Sequence, residues 1–167
     1  MEQLPDFRRV VTGHNEDGKA IVQSDKAFTP QTIPSGDANF ALLWTTQNVP
    51  ANNNDQTDGA LRDAGLTLTQ GSVVRVVDML PNAESPMHRT NSIDYGIVLE
   101  GEIEIELDNG DKQTVGANSI IVQRGTNHLW RNKSKTKICR IIFILIEASP
   151  YLHNGKPLDE QKPKGDK

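Results

Sequence analysis

Pro86-Met87-His88-Arg89-Thr90-Asn91-Ser92-Ile93-Asp94 and Gln123-Arg124-Gly125-Thr126-Asn127-His128-Leu129-Trp130-Arg131-Asn132 are two polar clusters inside a stretch that otherwise reads as sheet. Between them lie Ile97-Val98-Leu99, a turn at Glu100-Gly101, the run Ile103-Glu104-Ile105-Glu106-Leu107, a turn at Asp108-Asn109-Gly110, and Ser119-Ile120-Ile121-Val122. Alternation places Ile103, Ile105 and Leu107 on one strand face and the two glutamates on the other. Short strands separated by Gly, Asn and Asp turns indicate a β-sandwich or barrel. In such a fold His88, Asp94 and His128 can point into one cavity.

The same pattern extends outward. Ser72 to Leu80 is a strand carrying Val73, Val74, Val76 and Val77, ended by Pro81-Asn82. Thr136 to Glu147 is the last strand of the barrel. Its second half is apolar on both faces, so it is expected to be central or buried against a partner subunit. Upstream, Arg8 to His14 and Lys19 to Ser24 form a hairpin through Asn15-Glu16-Asp17-Gly18, because Asp-Gly supplies the positive backbone angles of a tight turn. Asn39 to Thr46 reads as a strand with Phe40, Leu42 and Trp44 on one face. Residues 47–65, rich in Asn, Asp and Gly, form a long loop, either mobile or a substrate lid. After Pro150 the polar, Lys-rich chain is expected to be a disordered tail. The expectation is an all-β single domain, 1–167. Its barrel core spans about 70–148, with N-terminal strands and loop over 1–69 and a flexible tail over 150–167.

Composition narrows the function. The chain has 167 residues, enough for a real core, with 24% charged and 35% hydrophobic residues. A net charge of -4 argues against a nucleic-acid surface, which wants a basic face. Ile141-Ile142-Phe143-Ile144-Leu145-Ile146 is too short to cross a bilayer. No charged-then-apolar leader opens the chain, and Cys139 is the single cysteine. A cytoplasmic protein is expected, with no membrane or nucleic-acid partner and Cys139 as a small core residue.

The clusters carry the chemistry. His88 and Thr90, two apart, share a face, and Asp94 returns to it a few residues later. Gly125 lets the backbone turn sharply before His128. Two imidazoles and a carboxylate can hold iron(II) or zinc around an open site. Without metal the same trio can perform acid–base chemistry, since His titrates near neutrality and an apolar barrel raises a carboxylate's proton affinity. They can also be pocket residues with no chemical role. Trp130 shares the face of His128 and is a candidate wall against a flat substrate. Arg124 is a candidate for a substrate carboxylate. Arg89 points away from His88 by alternation, whereas Tyr95 can exchange a proton near Asp94 only if it escapes that alternation. His14 and His153 are solvated bystanders.

At these residues the chain resembles the cupin superfamily of small β-barrels. The first cupin motif, Gly-x5-His-x-His-x3 or 4-Glu-x6-Gly, is met by Asn82, His88, Thr90, Asp94 and Gly101. The second, Gly-x5-Pro-x-Gly-x2-His-x3-Asn, ends in Gly125, His128 and Asn132, with Gln123 in place of Pro and Gly116 one residue out of step for the opening Gly. The resemblance implies a double-stranded β-helix, or jelly-roll barrel, with the hairpin as an N-terminal arm. Family metal sites usually have three His and one Glu. Here Thr90 replaces a ligand and Asp94 is one methylene shorter than Glu. The resemblance therefore implies either one divalent metal (Fe, Zn, Mn or Ni) on His88, Asp94 and His128, or a metal-free cupin. The runs around Met87–Gly96 and Gln123–Asn132, with Arg9-Val10-Val11-Thr12-Gly13-His14, resemble short single-domain cupins associated with polyketide-like biosynthesis, some proposed as dehydratases or decarboxylases.

Three functions follow. The first is a lyase, dehydratase or decarboxylase, acting on a small oxygenated substrate, with His88, Asp94 and His128 as the catalytic set and Trp130, Arg124, Thr90 and Tyr95 around the substrate. The second is an iron-dependent oxygenase on the same residues. The third is a small-molecule-binding cupin without turnover. An isomerase would use the same acid–base pair. Family habit also implies a homodimer through sheet edges, with the hairpin as a candidate exchanged element.

Overall fold

The protein is described over residues 4–163 in a computed structural model, and within them helix is limited to one 3₁₀ turn at Gly59–Leu61. An N-terminal hairpin pairs β1 (Phe7–His14) with β2 (Ala20–Phe28). Its turn closes through Asn15, which accepts from the Gly18 amide at 2.9 Å, with Gly18 at φ 73°. Next come β3 (Gln31–Thr32), β4 (Ala38–Gln47), β5 (Gly71–Met79), β6 (Ser92–Glu100), β7 (Glu102–Leu107), β8 (Lys112–Gly116), β9 (Ile120–Arg124), β10 (His128–Arg131) and β11 (Cys139–Glu147). A last small hairpin joins β12 (Leu152–His153) to β13 (Lys156–Pro157).

Two sheets face each other. One runs in the order β3-β4-β5-β11-β6-β9 and the other β10-β7-β8. Val77, Met79, Val98 and Ile141 from the larger sheet meet Ile103, Ile105 and Trp130 from the smaller, all buried. This is the all-β barrel the strand pattern indicated, in the jelly-roll form that the cupin resemblance implied. The larger sheet begins upstream of residue 70, because β4 pairs along the whole of β5.

The central place of β11, between β5 and β6, explains its two apolar faces. Its inner face fills the barrel. On the outer face Ile142 joins Ala41, Leu43 and Val76 in a second cluster, closed by Phe7 and Phe28 from the N-terminal hairpin. Two ion pairs lock these layers. Arg140 grips Asp78 in two-pronged fashion at 2.6 and 2.7 Å across the β5–β11 pair and donates to the Pro5 carbonyl. Arg9 grips Asp58 at 2.7 and 2.8 Å and lies over the Phe28 and Trp44 rings. Asp58 also caps the 3₁₀ turn by accepting from the Ala60 amide. The 47–65 loop is therefore pinned at Asp58, and its last residues, Ala64 and Gly65, line the cavity at the barrel mouth together with Leu66.

Two expectations are corrected. A bulge at Leu43 sets Leu42 opposite Arg75 and Trp44 opposite Val74. One inserted residue reverses the alternation, so Trp44 lies under the hairpin on the outer face while Phe40 lines the barrel. The expected disordered tail is, through Pro163, a folded strap. Gln161 exchanges both backbone hydrogen bonds with Arg89 at 2.9 Å, and Glu160 accepts from the Asn91 amide at 2.8 Å. Polar composition predicts exposure, but exposed strands can still pair through their backbones. Residues 164–167 of that expectation lie outside the described residues.

Candidate active site

The barrel mouth holds a cavity of about 320 Å³. Its walls are mostly apolar, from Phe40, Val77, Met79, Trp130, Phe143 and Leu145, and its polar groups are few and convergent, the usual character of a small-molecule site. His88, Thr90, Asp94, His128 and Trp130 all line it.

Backbone geometry assembles the histidines. His88 and His128 form an isolated antiparallel bridge, His88 N to His128 O at 2.8 Å and His128 N to His88 O at 2.9 Å. Directly opposed residues bring their side chains together, and the ring centroids are 4.3 Å apart. His88 Nδ1 is 2.9 Å from the Pro86 carbonyl and His128 Nδ1 is 2.9 Å from the Thr126 carbonyl. A carbonyl only accepts, so each Nδ1 carries a proton, and in the neutral ring of His128 the lone pair lies on Nε2. With Nδ1 the donor, the Gln123 Nε2 3.0 Å away packs against the ring without a hydrogen bond to it. Gln123 Nε2 donates instead to the Thr126 carbonyl at 3.4 Å, and its Oε1 closes the turn by accepting from the Thr126 amide. Gln123 occupies the family's Pro position and buttresses His128. His128 is 2% exposed and lies edge-on to Trp130 at 5.4 Å. Burial, then the neighbouring His88, push its proton affinity down to about 4.

Asp94 enters from β6, 5% exposed, with its Oδ1 buried and without a hydrogen-bond partner. Burial raises its carboxyl to about 6, against the opposing effects of the Ser92 hydroxyl and the charge of Arg75. The Thr90 hydroxyl is engaged by the Ser92 hydroxyl at 2.8 Å.

Among the described residues no three His, Cys, Asp or Glu side chains form a set that could hold a metal ion. The imidazoles present a donor pair of the metal-ligand type, with Nδ1–H held by carbonyls. Asp94 does not complete the set, and the Thr90 hydroxyl is a poor ligand. The residues present do not fit the three-ligand metal site expected on His88, Asp94 and His128.

Two further expectations fail through strand alternation. Arg124 follows the inward-facing Gln123 on β9, so it is exposed and lines a different groove. Tyr95 follows Asp94 on β6 and points to the other face, between Val122 and Ile144. Arg89 points away from His88 as expected, 3.7 Å from Asp108. Among the residues that sequence reading passed over are Phe40, Phe143 and Arg75. Arg75 donates to the Gly65 and Leu66 carbonyls beside the loop end and lies 5.7 Å from the Phe40 ring centroid. The available signal was one cation interrupting Val73-Val74-Arg75-Val76-Val77, where a charge must face something other than core.

The motif ends are structural. Asn82, at the opening Gly position, has φ 57°, and Gly101 has φ 77° with the Ile138 carbonyl 2.8 Å from where a Cβ would sit. Asn132 donates to the Met79 and Lys137 carbonyls at 2.9 Å, tying β5 to the start of β11. A family model described as a cupin domain matches residues 75–145. The phomopsin biosynthesis cluster protein C' of Diaporthe leptostromiformis is 38% identical over 167 residues, covering 94% of this chain and 88% of that protein. This chain is a cupin.

A second relative of this cupin, the cupin-domain-containing oxidoreductase virC of Hypocrea virens, is 34% identical over 159 residues, covering 90% of the chain and 82% of its own. Among solved structures, the Cnp3 cupin domain of Schizosaccharomyces pombe superimposes with a TM-score of 0.51 at 15% identity, over 84% of this cupin and 87% of that chain. That likeness concerns the fold.

Proposed function

We propose that this cupin is a small-molecule lyase of secondary-metabolite biosynthesis, a dehydratase or decarboxylase that works by acid–base chemistry in the barrel cavity. The observation that carries it is the crossing of two proton affinities in one apolar cavity: Asp94 is raised to about 6 and His128 lowered to about 4. At neutral pH the Asp94 carboxylate is the base, poised close to the working pH, and His128 stays a neutral imidazole. In dehydration, Asp94 takes the proton on the carbon beside a carbonyl. It then returns that proton to the departing hydroxyl, which leaves as water while the carbon–carbon double bond forms. The Nε2 lone pair of His128 accepts a hydrogen bond from a substrate hydroxyl and fixes its orientation, with His88 beside it in the cavity. Trp130 and Phe143, with centroids 5.3 Å apart, wall a flat apolar body. The biosynthesis-cluster name of the Diaporthe relative supports the substrate class.

A second reading, an oxidoreductase, is favoured by the name of the Hypocrea relative. One experiment separates the readings: metabolite profiling of the source organism carrying Asp94→Asn, alongside metal analysis of the purified protein. The lyase reading expects accumulation of a precursor heavier than the product by one water or one carbon dioxide, with the variant folded. A precursor differing by two hydrogens or by oxygen, with about one iron per chain lost in His128→Ala, would replace it with the second. An unchanged profile together with altered ligand affinity would leave a binding cupin.

A further inference from the structure

Among the described residues, Arg75 is the one lining the cavity that carries a fixed positive charge. Strand register sets its neighbours. On the inner face of the larger sheet, Phe143 of β11 stands between Arg75 of β5 and Gly96 of β6, and Asp94 is the next inward residue of β6, opposite Leu145. A Cβ on Gly96 would come 3.0 Å from Phe143 Cε1, so the ring lies over that glycine, toward β6. Arg75, Asp94, Phe143 and Leu145 all line the cavity. One wall is therefore an aromatic ring with a cation on one side and a carboxyl group on the other. The backbones of β5 and β6 are two strand spacings, about 10 Å, apart. The two groups still act on one another across it, since the charge of Arg75 opposes the rise in the proton affinity of Asp94. Arg75 Nη2 donates to the Gly65 and Leu66 carbonyls, and the guanidinium lies 5.7 Å from the Phe40 ring centroid. These contacts aim a planar group whose five N–H donors suit carbonyl oxygens and oxyanions alike.

We propose that Arg75 receives the carbonyl oxygen of the substrate and stabilises the negative charge that forms on it. The argument is one of position. A flat substrate resting on Phe143 presents one edge to Asp94 and the other to Arg75. The inference rests on the lyase reading, in which Asp94 takes the proton from the carbon beside the carbonyl. The electron pair of that C–H bond becomes the double bond of an enolate, and the carbonyl π pair moves onto oxygen, where the N–H groups of Arg75 donate to it. The enolate then collapses to the carbonyl. The hydroxyl on the next carbon leaves with its bonding pair and takes the proton back from Asp94 as water, so atoms and charge balance without an oxidant. A fixed cation stabilises the enolate oxygen more than the neutral carbonyl, so Arg75 acts on the chemical step and not on binding alone. The same residue sets the substrate class: a flat molecule with an acceptor oxygen at the edge remote from Asp94. A hydrocarbon edge there would desolvate the guanidinium without replacing its hydrogen bonds to water.

The probe is 2-naphthol, a flat body whose oxygen becomes an anion as an enolate's does and whose absorption reports its ionisation. Amide chemical shifts of the ¹⁵N-labelled full chain locate it, and movement at Phe40 and Phe143 is expected. Ionisation is followed above about pH 7, where Asp94 is charged and His128 neutral; Asp37 and His88, the other titratable groups of the lining, are common to every protein compared. Bound naphthol is expected to have an acid dissociation constant about tenfold above that of the free probe. Arg75→Met should abolish the gain and Arg75→Lys should restore much of it, a pattern that a merely structural arginine would not give. Naphthol that ionises no more readily in the parent protein than in water overturns the proposal, and this holds even if Arg75→Met does not fold. Equal ionisation in the parent and Arg75→Met, or no shifts at Phe40 and Phe143, overturns it as well. An unchanged metabolite profile in Asp94→Asn with the naphthol gain intact would remove the lyase reading and keep Arg75 as the oxygen-binding residue. An altered profile without that gain would do the reverse.

Discussion

Asp94 and His128 are each held away from ordinary proton affinity by burial, and in opposite directions. Their effects on stability have opposite signs. Asp94 keeps its proton in the fold up to about pH 6, whereas in the unfolded chain it loses it near 3.8. Folding therefore becomes less favourable as pH rises through that window, and a penalty of about 3 kcal/mol persists above it. His128 stays neutral in the fold down to about pH 4, whereas the unfolded imidazole protonates near 6.5, so its penalty grows as pH falls through that window. Asp94→Asn removes the first effect only. The variant should be more stable than the parent at pH 8 by up to about 3 kcal/mol, and the gain should vanish at pH 4. Urea unfolding across that range checks this, and a gain independent of pH would show that Asp94 is not the titrating group. At this scale the sequence pointed to His88, Asp94 and His128, and the structure brings all three to the wall of one cavity. The sequence did not tell whether they form a metal set, because that depends on angstrom-scale convergence from β6, β10 and the segment before β6.

At the scale of elements, single residues decide which side chains reach the cavity. The alternation of β6 and β9 removes Tyr95 and Arg124, and the bulge at Leu43 turns Trp44 outward. The C-terminal strap is the larger departure from expectation. Its Gln161 pairs with Arg89, next to His88, and Pro163 lines the cavity. The strap therefore acts as an outer strand that holds the His88 segment against β10. Deleting residues 151–167 should leave the two sheets folded but open the cavity. In a Trp44→Phe background Trp130 is the sole tryptophan, and its quenching by acrylamide should rise several-fold in the truncated protein. Unchanged quenching would show that the strap does not shield the site.

For the whole molecule, the N-terminal hairpin is one of the exposed apolar features, beside Ile120 and Val122 on edge strand β9. Its root is fixed by Arg9, Phe7 and Phe28, while Val10, Ile21 and Val22 are 49%, 42% and 63% exposed. Such a surface fits burial against a second copy of the chain. Light scattering is expected to give a dimer, and Val22→Glu a monomer with an intact barrel. A monomeric parent would remove the hairpin from that role. Among the described residues no helix is long and apolar enough to cross a membrane. The cupin barrel was legible in the sequence by itself, because alternation, turn residues and the spacing of His88, Asp94, Gly101, Gly125, His128 and Asn132 are local properties of the chain. The N-terminal hairpin was legible for the same reason. Tertiary structure alone decided the cavity's full lining, the crossed proton affinities, the folded strap and the place of Arg75 beside Phe143. Each of these depends on which side chains from distant segments meet, and on how completely they exclude water from one another. Neither quantity is carried by any single stretch of sequence.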